Sequence, residues 1–212
     1  PVSTDATATQ DARTEQYATE LLDALDRNVQ VRPITVRDPA FDDAAAYAVN
    51  FEIVRRRVAR GEKPIGRKIG FTNRTIWPLY GVYTPMWAPV YDSTVTFLED
   101  TEGSLSVSHL SEPRFEPEIL LHFRSSPVGA ESEAEILACI DWIAHSVEIV
   151  QSHYPNWKMK APDSAAAFGL HGALIVGPPV PVERLGSPEE IIAKLRTFTL
   201  TLSLNGEPQA QG

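Results

Sequence analysis

Two glutamates stand one residue apart in the run Glu116-Pro117-Glu118-Ile119-Leu120-Leu121-His122-Phe123. In an extended strand alternate side chains share a face. Glu116 and Glu118 therefore point the same way, with Leu120 and His122 further along, while Ile119, Leu121 and Phe123 face the other layer. Carboxylates about 7 Å apart on one strand repel each other unless something lies between them. A hard divalent cation is the usual resolution, because carboxylates suit Mg²⁺, Mn²⁺ and Ca²⁺. Glu148, inside the apolar run at 147–150, is a third candidate, since a carboxylate in an apolar strand needs a partner. The pattern alone leaves a plainer reading open: two solvated glutamates on an edge strand and one ion-paired glutamate.

Basic residues supply a second set of candidates. Lys68 lies between Gly66 and Gly70 in an otherwise apolar strand, where a lysine either snorkels or meets an anion. Lys158 and Lys160, in Trp157-Lys158-Met159-Lys160, share a face if the segment is extended, and two solvated lysines are the alternative. Arg55, Arg56, Arg57 and Arg60 cluster near a helix end, where positive charge complements the dipole. The five histidines (109, 122, 145, 153 and 171) lack metalloprotease spacing, and no serine-hydrolase elbow, phosphate-binding loop or dinucleotide fingerprint is present. Pro1 could act as a catalytic amine only if held in a pocket, and a polar tail does not hold it.

The elements that must position these residues follow from periodicity and punctuation. Residues 1–13 carry almost no large apolar group and read as a loose tail. A helix is predicted over 14–28 from Tyr17, Leu21, Leu22 and Leu25. A second, over 42–60, rests on Tyr47, Phe51, Val54 and Val58, with Asp42 or Asp43 as its cap. A glycine-punctuated strand covers 64–72. The proline- and tryptophan-rich stretch 76–92 reads as a long ordered flap. Strands are predicted at 94–98, 116–123, 147–150, 173–176 and 197–204, and a helix over 132–145. Ser187-Pro188-Glu189-Glu190 is a strong helix start, with a serine cap, proline at the first helical position and glutamate three residues after the cap. Asn205-Gly206 signals a type I′ hairpin.

The chain has 212 residues, enough to bury a real core in one domain with an N-terminal appendage. Its formal charge of −9 disfavours a nucleic-acid partner, which needs a basic face. The lone cysteine, Cys139, excludes an internal disulfide and cysteine-rich zinc sites. No apolar run is long enough for a membrane span and the N-terminus has no secretory pattern, so a cytoplasmic globular protein is expected.

In order along the chain, Gly66-Arg67-Lys68-Ile69-Gly70-Phe71-Thr72, Tyr80-Gly81-Val82, Glu116-Pro117-Glu118, Val147-Glu148-Ile149-Val150, Asn156-Trp157-Lys158-Met159-Lys160 and Asp163-Ser164 resemble the 2-keto-4-pentenoate hydratase and 4-oxalocrotonate decarboxylase branch of the fumarylacetoacetate hydrolase superfamily. Each match is weak alone; the ordered set is specific. The resemblance implies an α+β fold, a mixed, mostly β roll of the fumarylacetoacetate hydrolase type. Residues 1–62 would form a disordered tail and helical segment. Residues 63–212 would form the metal-binding catalytic domain, lacking a C-terminal part that relatives carry. It also implies Mg²⁺ or Mn²⁺ held by Glu116, Glu118 and Glu148, with Lys68, Lys160 and Asp163 catalytic. Gly70, Thr72, Arg74, Lys158 and His171 would bind substrate. The substrate would be a 2-oxo or 2-hydroxydienoic acid from aromatic meta-cleavage catabolism. The chain would be a homo-oligomer, with pairing to a related pathway subunit as an option.

Three positions depart from that branch. Met86 stands where the flap carries a carboxylate, Ala167-Phe168 where an Asp-Asn pair is usual, and His171 where small polar residues are usual. These losses weaken water addition, which needs a general acid or base, and leave the metal site untouched. The expectation is a divalent-metal-dependent, hydratase-like lyase. Its alternatives are a 2-oxo acid decarboxylase, an acylpyruvate C–C hydrolase, or a non-catalytic metal- and acid-binding relative.

Overall fold

The computed structural model describes residues 4–212; Pro1 lies outside them. Helix α1 spans Thr4–Asp26, so residues 4–13 are helical where a loose tail was expected. A short helix α2, Ile34–Arg37, precedes α3, Asp43–Ala59. Strand β1 covers Pro64–Gly70, α4 covers Trp77–Tyr80 and β2 covers Met86–Tyr91. Then come β3 (Val95–Phe97), β4 (Arg114–Phe123), α5 (Glu133–Ala138) and β5 (Ile140–Val150). Helix α6 (Ala161–Ala166), β6 (His171–Val176), β7 (Val180–Pro181), α7 (Pro188–Thr197), β8 (Thr201–Leu204) and β9 (Glu207–Gln211) complete the order.

The chain forms two compact units whose segments interleave along the sequence. The first comprises residues up to 95, 105–114 and 149–173. The second comprises 96–104, 115–148 and 174–212.

The first unit packs α1, α3 and α6 around Leu21, Leu22, Ile34, Phe41, Val49, Ile53, Tyr154 and Phe168. Asp42 caps α3, accepting from the Ala45 N–H at 2.9 Å. The buried stripe of α3 is Ala46, Val49, Asn50, Ile53 and Arg57, while Phe51 and Val58 are exposed. The helix is thus rotated from the face that its large apolar residues mark. Two polar side chains win the inner face because they find partners there. The Asn50 amide donates to the Ala165 carbonyl at 3.0 Å. The Arg57 guanidinium pairs with Glu62 at 2.6 Å and lies 3.8 Å from the Tyr91 ring centroid. Arg55 and Arg56 pair with Glu52, and Arg60 with Asp26, so the arginine cluster is neutralised in place.

The predicted flap is largely regular. Residues 86–91 form β2, antiparallel to β1, with Lys68 opposite Ala88 and Arg67 opposite Pro89. Proline is tolerated because this is a two-stranded ribbon with an outer edge.

The second unit is built on strands ordered β3-β6-β5-β4, with β7 paired to Trp142 and Ile143 of β5. Its core joins Leu137 of α5, Ile140 and Ile143 of β5 and Ile191 of α7, with Ile119 of β4 packed against them. The predicted 132–145 helix stops at Ala138, and the chain turns at Cys139 into the eleven-residue β5. Alternation decides the segment: Ile143 faces the helices, while Ala144, Ser146 and Glu148 face the other side. The Asn205-Gly206 turn joins β8 to β9, both residues at positive φ (51° and 86°) as a type I′ turn requires.

Candidate metal centre

β4 and β5 lie side by side, and on their shared face one carboxylate oxygen each of Glu116, Glu118 and Glu148 come within 4.8 Å of one another. Glu148 is 3% exposed; of the strand pair one is half-buried and the other open to solvent. The alternation read from the sequence produces this convergence. Ile119 and Ile143 go to the helical layer, which sends Glu118 and Glu148 to the opposite face.

The donor set fits a hard cation. Two oxygens bound to one ion at 2.0–2.6 Å stand at most about 5 Å apart, so a spread of 4.8 Å is compatible with a shared centre. Three carboxylates offset a divalent charge and leave about three of six positions on an octahedral ion for other ligands.

The other predicted site residues belong to the first unit. Lys68 is half-buried on β1 and pairs in register with Ala88. Gly70 ends β1, Thr72 is exposed beyond it, and the Arg74 guanidinium lies 5.6 Å from the Trp77 ring centroid. Lys158 and Lys160 are exposed. His171 is buried and its Nε2 is 2.9 Å from the Thr94 hydroxyl.

Asp163 is fully buried and its oxygens are engaged by the fold. Oδ1 accepts from the Thr35 N–H at 2.9 Å; Oδ2 accepts from the Thr35 hydroxyl at 2.6 Å and the Lys160 N–H at 3.0 Å. The residue ties α2 to the start of α6. These hydrogen bonds give it a structural duty.

One constellation was only half visible in the sequence. His122, on the same strand face as the glutamates, donates through Nδ1–H to the Asp141 carboxylate at 2.6 Å and stacks on Trp142 with ring centroids 4.6 Å apart. The imidazole holds the Asp141 carboxyl below its ordinary range. Four residues of strand rise separate it from Glu118 by about 13 Å, so it stands apart from the carboxylate cluster. The signal was the i, i+2 pattern on β4; its partners on β5 were hidden by the helical assignment of 132–145.

No known protein-family profile matches the chain. It is 28% identical over 199 residues to the 2-hydroxyhexa-2,4-dienoate hydratase of Comamonas testosteroni, covering 93% of this chain and 72% of that one. Its fold superposes on 4-oxalocrotonate decarboxylase from Pseudomonas putida G7, solved with magnesium and adipate. The TM-score is 0.84 at 26% identity, covering 95% of this chain and 73% of that one. The calcium and acetate form of that decarboxylase gives 0.82 at 25% identity, over the same shares of the two chains. The chain is homologous to the 2-keto-4-pentenoate hydratases and 4-oxalocrotonate decarboxylases. These homologues are enzymes, and the mixed helices and sheets of the fold agree with theirs. Among the described residues no helix is long and apolar enough to cross a membrane.

Proposed function

We propose that this protein is a divalent-metal-dependent lyase acting on a 2-oxo or 2-hydroxydienoic acid of aromatic meta-cleavage catabolism. The observation that carries the reading is the convergence of Glu116, Glu118 and Glu148 on one sheet face. Homology to hydratases and decarboxylases of such acids supports it. Those three residues would hold Mg²⁺, and Mn²⁺ shares the same oxygen-ligand chemistry. A bound cation would supply Lewis-acid polarisation of the 2-oxo group, the electron sink that hydration and decarboxylation both need.

The protein's own part is to present three carboxylates on adjacent strands with Glu148 buried, so that the ligands are fixed before substrate arrives. Lys68, with Lys160, is proposed as the cation that offsets negative charge developing during turnover, and Lys158, Arg74 and His171 as candidates for holding the acid. Gly70 and Thr72 complete the proposed substrate-binding set. A roll of the fumarylacetoacetate hydrolase type belongs to the same proposal.

Met86 is buried and apolar, and Ala167 and Phe168 are buried too. None of these positions can exchange a proton with substrate, which favours decarboxylation over addition of water to a simple dienoate. The test is a panel of 2-oxo acids and 2-hydroxydienoates assayed with Mg²⁺, Mn²⁺ and chelator. Metal-dependent turnover is expected, with loss of carbon dioxide exceeding hydration. Saturable acid binding by calorimetry without turnover would move the assignment to a non-catalytic relative.

A further inference from the structure

The turn between α6 and β6 places three consecutive residues in the left-handed region: Phe168 (φ 59°), Gly169 (φ 59°) and Leu170 (φ 63°). For two bulky residues this conformation is strained and persists only where the surroundings enforce it. They do so here. Phe168 is buried, with the His153 ring 5.2 Å away; the Leu170 N–H donates to the Ala167 carbonyl at 2.8 Å; the Leu170 carbonyl accepts from the Gln151 N–H at 2.8 Å.

What the turn delivers is the bare Cα of Gly169 against β1 and β2. A Cβ there would meet the Ala88 methyl at 2.6 Å, Cδ of Lys68 at 3.1 Å and the Met86 terminal methyl at 3.6 Å. Gly70 plays a similar part from within β1: a Cβ on it would come within 3.2 Å of Met86 Cγ and 3.9 Å of Lys68 Cε. The aliphatic stem of Lys68 thus runs through a slot defined by two glycines and Met86. Ala88 cannot yield, because it is a buried strand residue opposite Lys68. A methyl at position 169 must displace either the turn or the lysine stem.

We infer that Gly169 is a positioning residue that fixes the course of the Lys68 side chain, and through it the placement of its ammonium for turnover. This rests on the proposal that Lys68 takes part in the reaction. Gly169 itself touches no reacting group in this account; it acts by having no side chain.

The test compares full-length wild type, Gly169→Ala, Ala88→Gly, the Gly169→Ala/Ala88→Gly pair, Lys68→Ala and Lys68→Ala/Gly169→Ala. Limiting acetic anhydride with mass spectrometry reads the reactivity of Lys68 against that of Lys194. Steady-state kinetics reads turnover. In Gly169→Ala, Lys68 reactivity relative to Lys194 changes at least about twofold, and kcat falls about 10- to 100-fold with a smaller change in KM. Ala88→Gly alone changes neither. In the pair, removing the Ala88 methyl restores thermal stability but not kcat. In the Lys68→Ala background, Gly169→Ala costs no further turnover, the non-additivity expected when one residue acts through another. Unchanged Lys68 reactivity, full recovery of kcat by Ala88→Gly, or an undiminished loss in the Lys68→Ala background each overturns the assignment. If Lys68→Ala itself turns over normally, the role of Lys68 falls and this assignment with it. If Lys68→Ala is inactive while Gly169→Ala is normal, only this assignment falls.

Discussion

Glu148 and Asp163 are both carboxylates removed from solvent, at 3% and 0% exposure, yet they are buried for different reasons. Asp163 is consumed by its own fold: the backbone and hydroxyl of Thr35 and the backbone of Lys160 donate to its two oxygens. Glu148 is brought beside two further carboxylates, a grouping that costs repulsion. Three donors of the fold hold the Asp163 carboxylate, whereas three carboxylates gathered on one face make the oxygen donor set that a hard cation takes.

The largest expected effect is at the crowded acids. Glu118→Ala removes one ligand of the proposed centre, so Mg²⁺ affinity and turnover should each fall by at least about 100-fold. Calorimetric titration with Mg²⁺ and steady-state kinetics check the two parts. A variant that keeps its metal affinity would return the glutamates to the status of a solvated strand pair.

Asp163→Ala should do the reverse. It strands the Thr35 and Lys160 donors in the first unit and should cost about 3 kcal/mol or more of stability. Mg²⁺ affinity, measured below the lowered melting point, should be unchanged. An Asp163→Ala protein that melts like wild type but has lost turnover would restore its candidacy as a catalytic acid.

The two regions also differ in how much of them the sequence discloses. Glu116 and Glu118 were legible because period-two alternation is local, and Glu148 because a charge inside an apolar run is conspicuous. The hydrogen bonds that hold Asp163 were not legible because its partner Thr35 lies 128 residues away. The inner face of α3 was misassigned because Asn50 and Arg57 are polar by type and inward by partnership. β2 was taken for a loop because Pro85 and Pro89 discourage a strand, although a ribbon edge accommodates proline. Residues 140–145 were given to a helix because a short apolar run reads equally well at either period. The capping serine Ser187 and the Asn205-Gly206 turn needed no tertiary information and were correctly placed.

A third buried ionisable group gives an effect confined to acid. His153 is 1% exposed and burial pushes its pKa down to about 4, from the ordinary 6.5. Between those values the unfolded chain binds a proton that the folded chain refuses. The stability is therefore complete above pH 6.5 and declines as pH falls through that window, by about 3 kcal/mol at pH 4. Urea melts of His153→Gln should show a flatter slope between pH 6.5 and 4 than wild type. An unaltered slope would mean that the imidazole is already protonated, and so partnered, at neutral pH.

The smallest effect tests whether local signals in the second unit are independent of the acids. At the start of α7 the Ser187 hydroxyl accepts from the Glu190 N–H at 3.3 Å, and Glu190 Oε2 accepts from the Ser187 N–H at 2.8 Å. Gly186, at φ 128°, makes room for this: a Cβ there would lie 2.4 Å from Glu190 Oε2. With only ten residues, α7 gains little from helix propagation, and Ile191 at its inner face contributes to the core beneath β5. Ser187→Ala should therefore cost about 1 kcal/mol, and Glu190→Gln much less, because glutamine can accept the same hydrogen bond. Gly186→Ala should cost more than either, since it imposes backbone strain and displaces the glutamate together. Hydrogen exchange over Pro188–Thr197 should report the loss as faster exchange in the first turn, with Mg²⁺ affinity at the wild-type value. A matching loss of Mg²⁺ affinity would show that the carboxylate face depends on the helical layer behind it.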